Sequence, residues 1–270
     1  MPVRIDIRNI PEWVDAQRLL GPGFEVETAE PGWKRAHASV ERRVAADIQA
    51  RLRGVGIGGR TLAVTVAPEL NRKLVRAART EDARRRRQGS VGFSRSGVRL
   101  DKEGQISLTP EALALEIGKR AAGCKVVDAC CGAGGNAIGF ARAGCEVEAL
   151  EIDKARLDMA THNARTYKVA DRIQWRCASA IEALATVRAD LLFIDPPWGE
   201  DYDRTRTRLA DMPFLQRLLR NAERFSQTWI KLPPSFDVSD LPSARPEAFF
   251  GTGEGDNQRV KFLLLTLTSK

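Results

Sequence analysis

The chain has little of what builds disulfide frameworks or metal sites. It contains two histidines, His37 and His162, and five cysteines, Cys124, Cys130, Cys131, Cys145 and Cys177. The cysteine count is odd and no CxxC pair occurs, which argues against a disulfide framework and a Cys/His zinc site, so no metal is expected. No run of about 18 apolar residues occurs, so no transmembrane helix and no membrane partner is expected. The first ten residues alternate polar and apolar side chains and lack the apolar block of a secretory signal. A reducing cytoplasm suits this composition.

What is abundant is arginine. The 43 basic residues comprise 33 Arg and 10 Lys against 35 acidic residues, a formal charge of +8. Two explanations for so many arginines stand side by side: a GC-rich coding sequence, or a polyanionic partner, which guanidinium groups suit better than ammonium groups. The excess is local. Residues 72–99 hold ten basic residues (Arg72, Lys73, Arg76, Arg79, Arg84, Arg85, Arg86, Arg87, Arg95 and Arg99) against Glu81 and Asp82, and the rest of the chain sums to zero. This segment, within a linker spanning residues 68–104, is expected to be a phosphate-contacting arm, with Arg84, Arg85, Arg86, Arg87, Arg95 and Arg99 as RNA-binding residues. Its second half, with Gly89, Ser90, Gly92, Ser94, Ser96 and Gly97, is expected to be flexible.

Ahead of the arm, residues 1–67 read as strand, helix, strand, strand, helix, strand. Val3, Ile5 and Ile7 recur at period two, Pro11–Leu20 reads as a helix, and Val44, Ile48 and Leu52 recur at helical spacing. The βαββαβ order is ferredoxin-like. Ile5-Asp6-Ile7-Arg8-Asn9-Ile10 and Gly59-Arg60-Thr61-Leu62-Ala63-Val64 resemble the first and last strands of an RNA-recognition motif. The base-stacking aromatics of such domains are missing at the expected positions: Asp6 stands at one, and His37 is the one ring within Lys34–Glu41 of the third strand.

Residues 105–270 alternate strands and helices in a doubly wound α/β pattern, in which ligands bind at the carboxyl ends of the strands. Two motifs sit at such ends. In Val126-Val127-Asp128-Ala129-Cys130-Cys131-Gly132-Ala133-Gly134-Gly135-Asn136, a strand ends in an acid and turns through glycines into a helix. No Gly-Lys-Ser/Thr ending makes it a phosphate loop, whereas a dinucleotide fold stays open on this motif alone. Asp128 suits an ammonium or sulfonium group, and Glu151 and Asp153, after the next strand, suit ribose hydroxyls. S-adenosylmethionine carries all of these groups and is the expected cofactor. Leu191-Leu192-Phe193-Ile194-Asp195-Pro196-Pro197-Trp198-Gly199 follows the fourth strand of the series. Asp195 and the Pro196 carbonyl can accept the two N–H bonds of an exocyclic amine and aim its lone pair, while Trp198 stacks on the base. Proline contributes no competing N–H.

Residues 99–205 resemble the trimethylguanosine synthase family of RNA cap guanine-N2 methyltransferases. The likeness rests on Leu100-Asp101-Lys102-Glu103-Gly104, Ser107-Leu108-Thr109-Pro110-Glu111, the Asp128–Asn136 loop, His162-Asn163-Ala164, Tyr167 with Val169-Ala170-Asp171, and Pro196-Pro197-Trp198-Gly199 with Asp201-Tyr202. It implies a Rossmann-like class I methyltransferase fold with a seven-stranded sheet. It also implies roles: Asp128, Gly132, Gly134 and Asn136 for the donor's methionine part, Thr109 near its carboxylate, Glu151 and Asp153 for its ribose, and Ser179 near its adenine. Asp195, Pro196, Pro197 and Trp198 would form the catalytic loop, with Trp198 also contacting RNA. The chain departs from the family in Asp195, where serine is usual, in Gln105, where an aromatic is usual, and in Cys177-Ala178-Ser179, where an acid is usual. Guanine N2 in a structured or capped RNA is the first expectation. Adenine-N6 methylation of RNA or DNA, or a noncatalytic RNA-binding role, are the alternatives. All five cysteines are expected to be small buried residues, and Gly251, Gly253 and Gly255 to form a turn between the last strands.

Overall fold

The computed structural model describes residues 1–199 and 201–269. Its N-terminal part contains β1 (Val3–Pro11), α1 (Ala16–Leu20), β2 (Glu25–Glu30), β3 (Trp33–Val40), α2 (Arg42–Leu52), the short pair β4 (Gly56–Ile57) and β5 (Arg60–Thr61), and β6 (Ala63–Ala67). Four of these strands form an antiparallel sheet in the order β2-β3-β1-β6. The helix expected from Pro11 begins only at Ala16: β1 runs on to Pro11, and the Asp15 carboxylate caps the helix by accepting from Arg18 N. Val3, Ile5, Ile7 and Ile10 alternate inward along β1 and meet Leu19, Leu20, Ile48 and Leu52 of the two helices.

The arm begins with α3 (Arg72–Arg85), which packs on α2 and buries Ala78. Residues 89–99, expected to be flexible, are instead bound down along their length. Ser90 donates its backbone N–H and hydroxyl to Asp256, at 2.8 Å for each to its nearer oxygen, and Glu111 N donates to Val91 O. Ser94 N donates to Glu111 at 2.7 Å. Asn163 accepts from Arg99 N at 2.7 Å and donates to Arg99 O at 2.9 Å, while Gly97 O lies 2.7 Å from His162 Nε2. Half-buried Glu111 anchors this strap. Burial alone pushes its carboxyl up, but hydrogen bonds from Tyr167, Ser94 and Arg142 outweigh it and hold the pKa down at about 2.

The strap leads into α4 (Lys102–Ser107) and α5 (Glu111–Arg120). Then follow β7 (Lys125–Asp128), α6 (Gly135–Arg142), β8 (Glu146–Glu151), α7 (Lys154–Thr166), β9 (Ile173–Cys177), α8 (Ala180–Ala183), β10 (Leu191–Ile194), α9 (Pro213–Leu219), β11 (Gln227–Leu232), β12 (Arg245–Phe250) and β13 (Val260–Thr268). The seven strands form one sheet in the order β12-β13-β11-β10-β7-β8-β9. β7 to β11 are parallel, and β13 is antiparallel to both of its neighbours. This is the class I methyltransferase arrangement expected. Val127, Leu192, Ile194 and Ile230 face one side, in a core continuous with that of the N-terminal sheet. Val126, Phe193 and Trp229 face the other.

Strand direction decides where the N-terminal part sits. β12 ends, and β13 begins, at the same sheet edge at which β7, β8, β10 and β11 end. The loop between them, with its expected glycine turn, receives Arg51, whose guanidinium donates to Gln258 O at 2.9 Å, and Arg259 pairs with Asp82 of α3. The Gly56–Gly59 hairpin docks on two further loops of that edge: Gly56 N donates to Arg204 O at 3.0 Å and Gly58 N to Pro234 O at 2.9 Å. A Cβ on Gly56 would overlap the Thr205 carbonyl, so the close approach requires glycine.

Candidate active site

Adjacent parallel strands set the site's spacing. Asp128 is paired in register with Phe193, and Ile194 with Ile230, so Asp128, Asp195 and Lys231 stand in a row across the ends of β7, β10 and β11. Glu151 ends the next strand, β8.

Asp128 is fully buried. One of its oxygens accepts a long bond from Cys130 N, at 3.4 Å, and Oδ2 has no partner. Burial, then the neighbouring Asp195 carboxylate, pushes its pKa up to about 8. Thr109 Oγ1 and Asn136 Oδ1 are also buried without partners; Asn136 bonds Asp195 through Nδ2 and the Thr109 carbonyl lies near Gly135, while Trp175 Nε1 and Arg259 Nε are the other such atoms among the described residues. Buried polar groups are nearly always bonded, so these three unpaired oxygens point to a polar ligand. Gly132 and Gly134 both have positive φ, and a Cβ on Gly132 would meet nothing within 4 Å, leaving the backbone open to close approach.

Glu151 accepts from Gly132 N and from Asp153 N, each at 2.9 Å, which fixes the loop and the carboxylate together. Asp153 has a structural role beside the expected one: its Oδ1 caps α7 by accepting from Ala155 N and Arg156 N. An acid directly before a helix is an N-cap signal, and that signal was readable in the sequence. Ser179 precedes α8 and makes no capping bond. Ile152, beside Glu151, is 72% exposed and offers an apolar surface that pattern reading overlooked.

The Asp195–Trp198 loop is held by a residue that sequence reading missed. Lys231 is buried, and its ammonium donates to Asp195 Oδ2 at 2.7 Å; Asn136 Nδ2 donates to the same oxygen at 3.0 Å. Among the described residues, Asp195 Oδ1 makes no such bond. Lys231 Nζ also lies 5.2 Å from the Trp198 ring centroid, and Trp198 Nε1 points back to Lys231 O at 3.4 Å. Tyr202 meets Trp198 edge-on at 5.7 Å. Pro196 is buried and Pro197 exposed. The one available signal was a lone lysine in an otherwise apolar strand, Trp229-Ile230-Lys231-Leu232.

The cysteines divide. Cys131 and Cys145 are buried, Cys124 and Cys130 half-buried, and Cys177 is exposed, contrary to expectation. Burial, then Asp128, pushes the Cys130 and Cys131 thiols up, which disqualifies them as nucleophiles. No cluster of three metal-ligating side chains and no helix long and apolar enough to cross a membrane occurs among the described residues.

Within the arginine run, most of the expected RNA-binding residues also make contacts inside the protein. Arg84 and Arg85 pair with Glu81, Arg85 also reaches Asp47, and Arg86 pairs with Asp82. Arg95 donates to Thr166 O and lies over the Tyr167 ring. Arg99 is gripped through its backbone by Asn163. Arg87 is exposed and makes no ion pair among the described residues.

Sheet order, glycine loop and unpaired donor-side oxygens together define a class I S-adenosylmethionine-dependent methyltransferase. The family described as RNA cap guanine-N2 methyltransferase matches residues 123–248. Trimethylguanosine synthase of Schizosaccharomyces pombe is 33% identical over 166 residues, covering 55% of this chain and 69% of that protein. Trimethylguanosine synthase of Saccharomyces cerevisiae is 28% identical over 114 residues, covering 38% of this chain and 36% of that protein. A solved candidate methyltransferase of Porphyromonas gingivalis W83 aligns with a TM-score of 0.50 at 17% identity, covering 75% of this chain and 52% of that one, a likeness of fold. The chain belongs to the RNA cap guanine-N2 methyltransferase family.

Proposed function

We propose that the protein transfers a methyl group from S-adenosylmethionine to the N2 amine of guanine in RNA through the Asp195–Trp198 loop. S-adenosylmethionine supplies an electrophilic methyl group. Asp128 would face its cationic end, Thr109 and Asn136 its polar methionine atoms, and Glu151 its ribose. The observation that carries the reading is the fixed orientation of Asp195: Lys231 and Asn136 occupy Oδ2, which leaves Oδ1 to accept an N–H of the incoming amine. The amine's lone pair is delocalised into the ring, and hydrogen bonds to Oδ1 and the Pro196 carbonyl favour the pyramidal nitrogen that attacks. As the N–C bond forms, one N–H proton becomes acidic and leaves to Asp195 or water. Trp198 fixes the base plane and excludes water.

The N-terminal part is read as a ferredoxin-like module, related to the RNA-recognition motif, that places RNA at the active edge. The test is incubation with labelled donor and cellular RNA, followed by nucleoside mass spectrometry. N2-methylguanosine is expected; N6-methyladenosine would replace the guanine assignment, and no transfer at all would remove the catalytic one.

A further inference from the structure

The outer face of the N-terminal sheet is largely occupied by its own ion pairs. Asp6, at the centre of β1 opposite His37 and Thr65, accepts from Arg8 Nε at 3.0 Å and Arg35 Nε at 2.6 Å. Arg35 also lies 3.7 Å from Glu27, and His37 lies 3.7 Å from Glu25. The edge strand β2 is exposed throughout and carries Glu25, Glu27 and Glu30. On this face His37 lies beside Glu25, Trp33 is covered by Arg60, and Arg4 is the exposed arginine with no ion-pair partner among the described residues.

α3 is the reverse. Its acids, Glu81 and Asp82, are consumed by Arg84, Arg85, Arg86 and Arg259. Arg72, Arg76 and Arg79 are exposed and have no ion-pair partner among the described residues. At 100° per residue these three fall within a stripe about 60° wide, flanked by half-buried Val75 and turned away from half-buried Leu74 and buried Ala78, and they rise by ~6 and ~10.5 Å from the first. The C-terminal end of α3 is pinned to the β12–β13 loop by the Arg259–Asp82 pair and by Gly255 N donating to Gln88 O at 3.0 Å. That loop lies at the edge that carries Asp195 and Trp198.

We propose that RNA runs along the solvent face of α3, its phosphates held by Arg72, Arg76 and Arg79, and not across the N-terminal sheet or on the Arg84–Arg86 run. The proposal rests on RNA being the substrate. Backbone phosphates meeting a line of free guanidinium groups displace counterions, so each contact contributes to the salt dependence of binding.

The experiment uses the full chain and a 20-nucleotide single-stranded RNA of mixed sequence, with affinity measured from 50 to 200 mM KCl. The triple variant R72Q/R76Q/R79Q is expected to lower the slope of log affinity against log salt by about 2, which is roughly a twentyfold smaller loss across that range. Its KM for RNA should rise while kcat and donor affinity stay at wild-type values. R84Q/R85Q/R86Q should keep the wild-type slope but melt earlier, since it breaks ion pairs. R8Q/R35Q should also keep the slope. A wild-type slope and KM in the R72Q/R76Q/R79Q protein overturns the track along α3, and so does an equal slope loss in R8Q/R35Q, which puts RNA on the sheet. If the wild-type protein neither binds RNA with salt dependence nor methylates it, the substrate reading fails as well, a result distinct from failure of the track.

Discussion

Two buried aspartates, Asp6 and Asp128, are set in opposite surroundings. Asp6 on the N-terminal sheet has both oxygens taken by arginines; burial raises its pKa, but Arg35 and then Arg8 outweigh it and the pKa is lowered. Asp128 has one oxygen without a partner and its pKa is raised to about 8. The first arrangement completes itself and serves the fold. The second is incomplete and is completed by a cationic ligand. A buried acid therefore marks a binding site here when its partners are missing, not merely when it is buried.

The largest expected effect falls on the active loop. Asp195→Ala should lower the methyl-transfer rate by about a thousandfold while donor affinity by calorimetry changes little; parallel losses in both would mean Asp195 belongs to the donor pocket. Lys231→Met leaves the half-buried Asp195 carboxylate beside Asp128 without its counter-ion, and should lower the rate by roughly a hundredfold. The double variant D195S/K231M should then be faster than K231M alone, because the uncompensated charge is gone; a further additive loss would deny that the two act as a pair. Gly56→Val should cost about 2 kcal/mol in stability through overlap with the Thr205 carbonyl, read from urea unfolding. The smallest effect belongs to the self-completed site. Asp6→Ala should cost about 1 kcal/mol, since its partners are partly exposed, and leave RNA affinity unchanged. The contribution of Asp6, whose folded pKa is lowered, is present above about pH 3.8 and is lost as pH falls through the folded value, so the variant and wild type should converge in acid.

Much of the active site was legible because each motif is local. Asp128 with its glycines and Asp195-Pro-Pro-Trp are each a strand, a turn and a few consecutive residues, and parallel pairing of β7 with β10 brings them together without further information. Lys231 was not legible as a site residue, because its meaning depends on register with Asp195 across β10 and β11. The strap at 89–99 was misread for a related reason: glycine and serine show no periodicity, and its partners Glu111, Asn163, Tyr167 and Asp256 are distant in sequence. The Arg84–Arg87 run looked like the RNA contact because it is dense, yet Glu81, Asp82 and Asp47 pair with Arg84, Arg85 and Arg86.

The contrast between the two aspartates is tested most directly by Asp128→Asn. The native protein keeps on Asp128 a proton that the unfolded chain releases between about pH 4 and about pH 8, so the stability of the unliganded wild type falls across that window. The Asn variant has nothing to ionise there. Thermal melts of both unliganded proteins from pH 4 to 8, with calorimetric titration of S-adenosylmethionine at pH 8, should show the variant melting higher than wild type at pH 8, the two converging toward pH 4, and donor binding lost by at least about a hundredfold. A variant that binds the donor as tightly as wild type, or that melts lower at pH 8, would contradict the assignment of Asp128 as the incomplete half of a donor site.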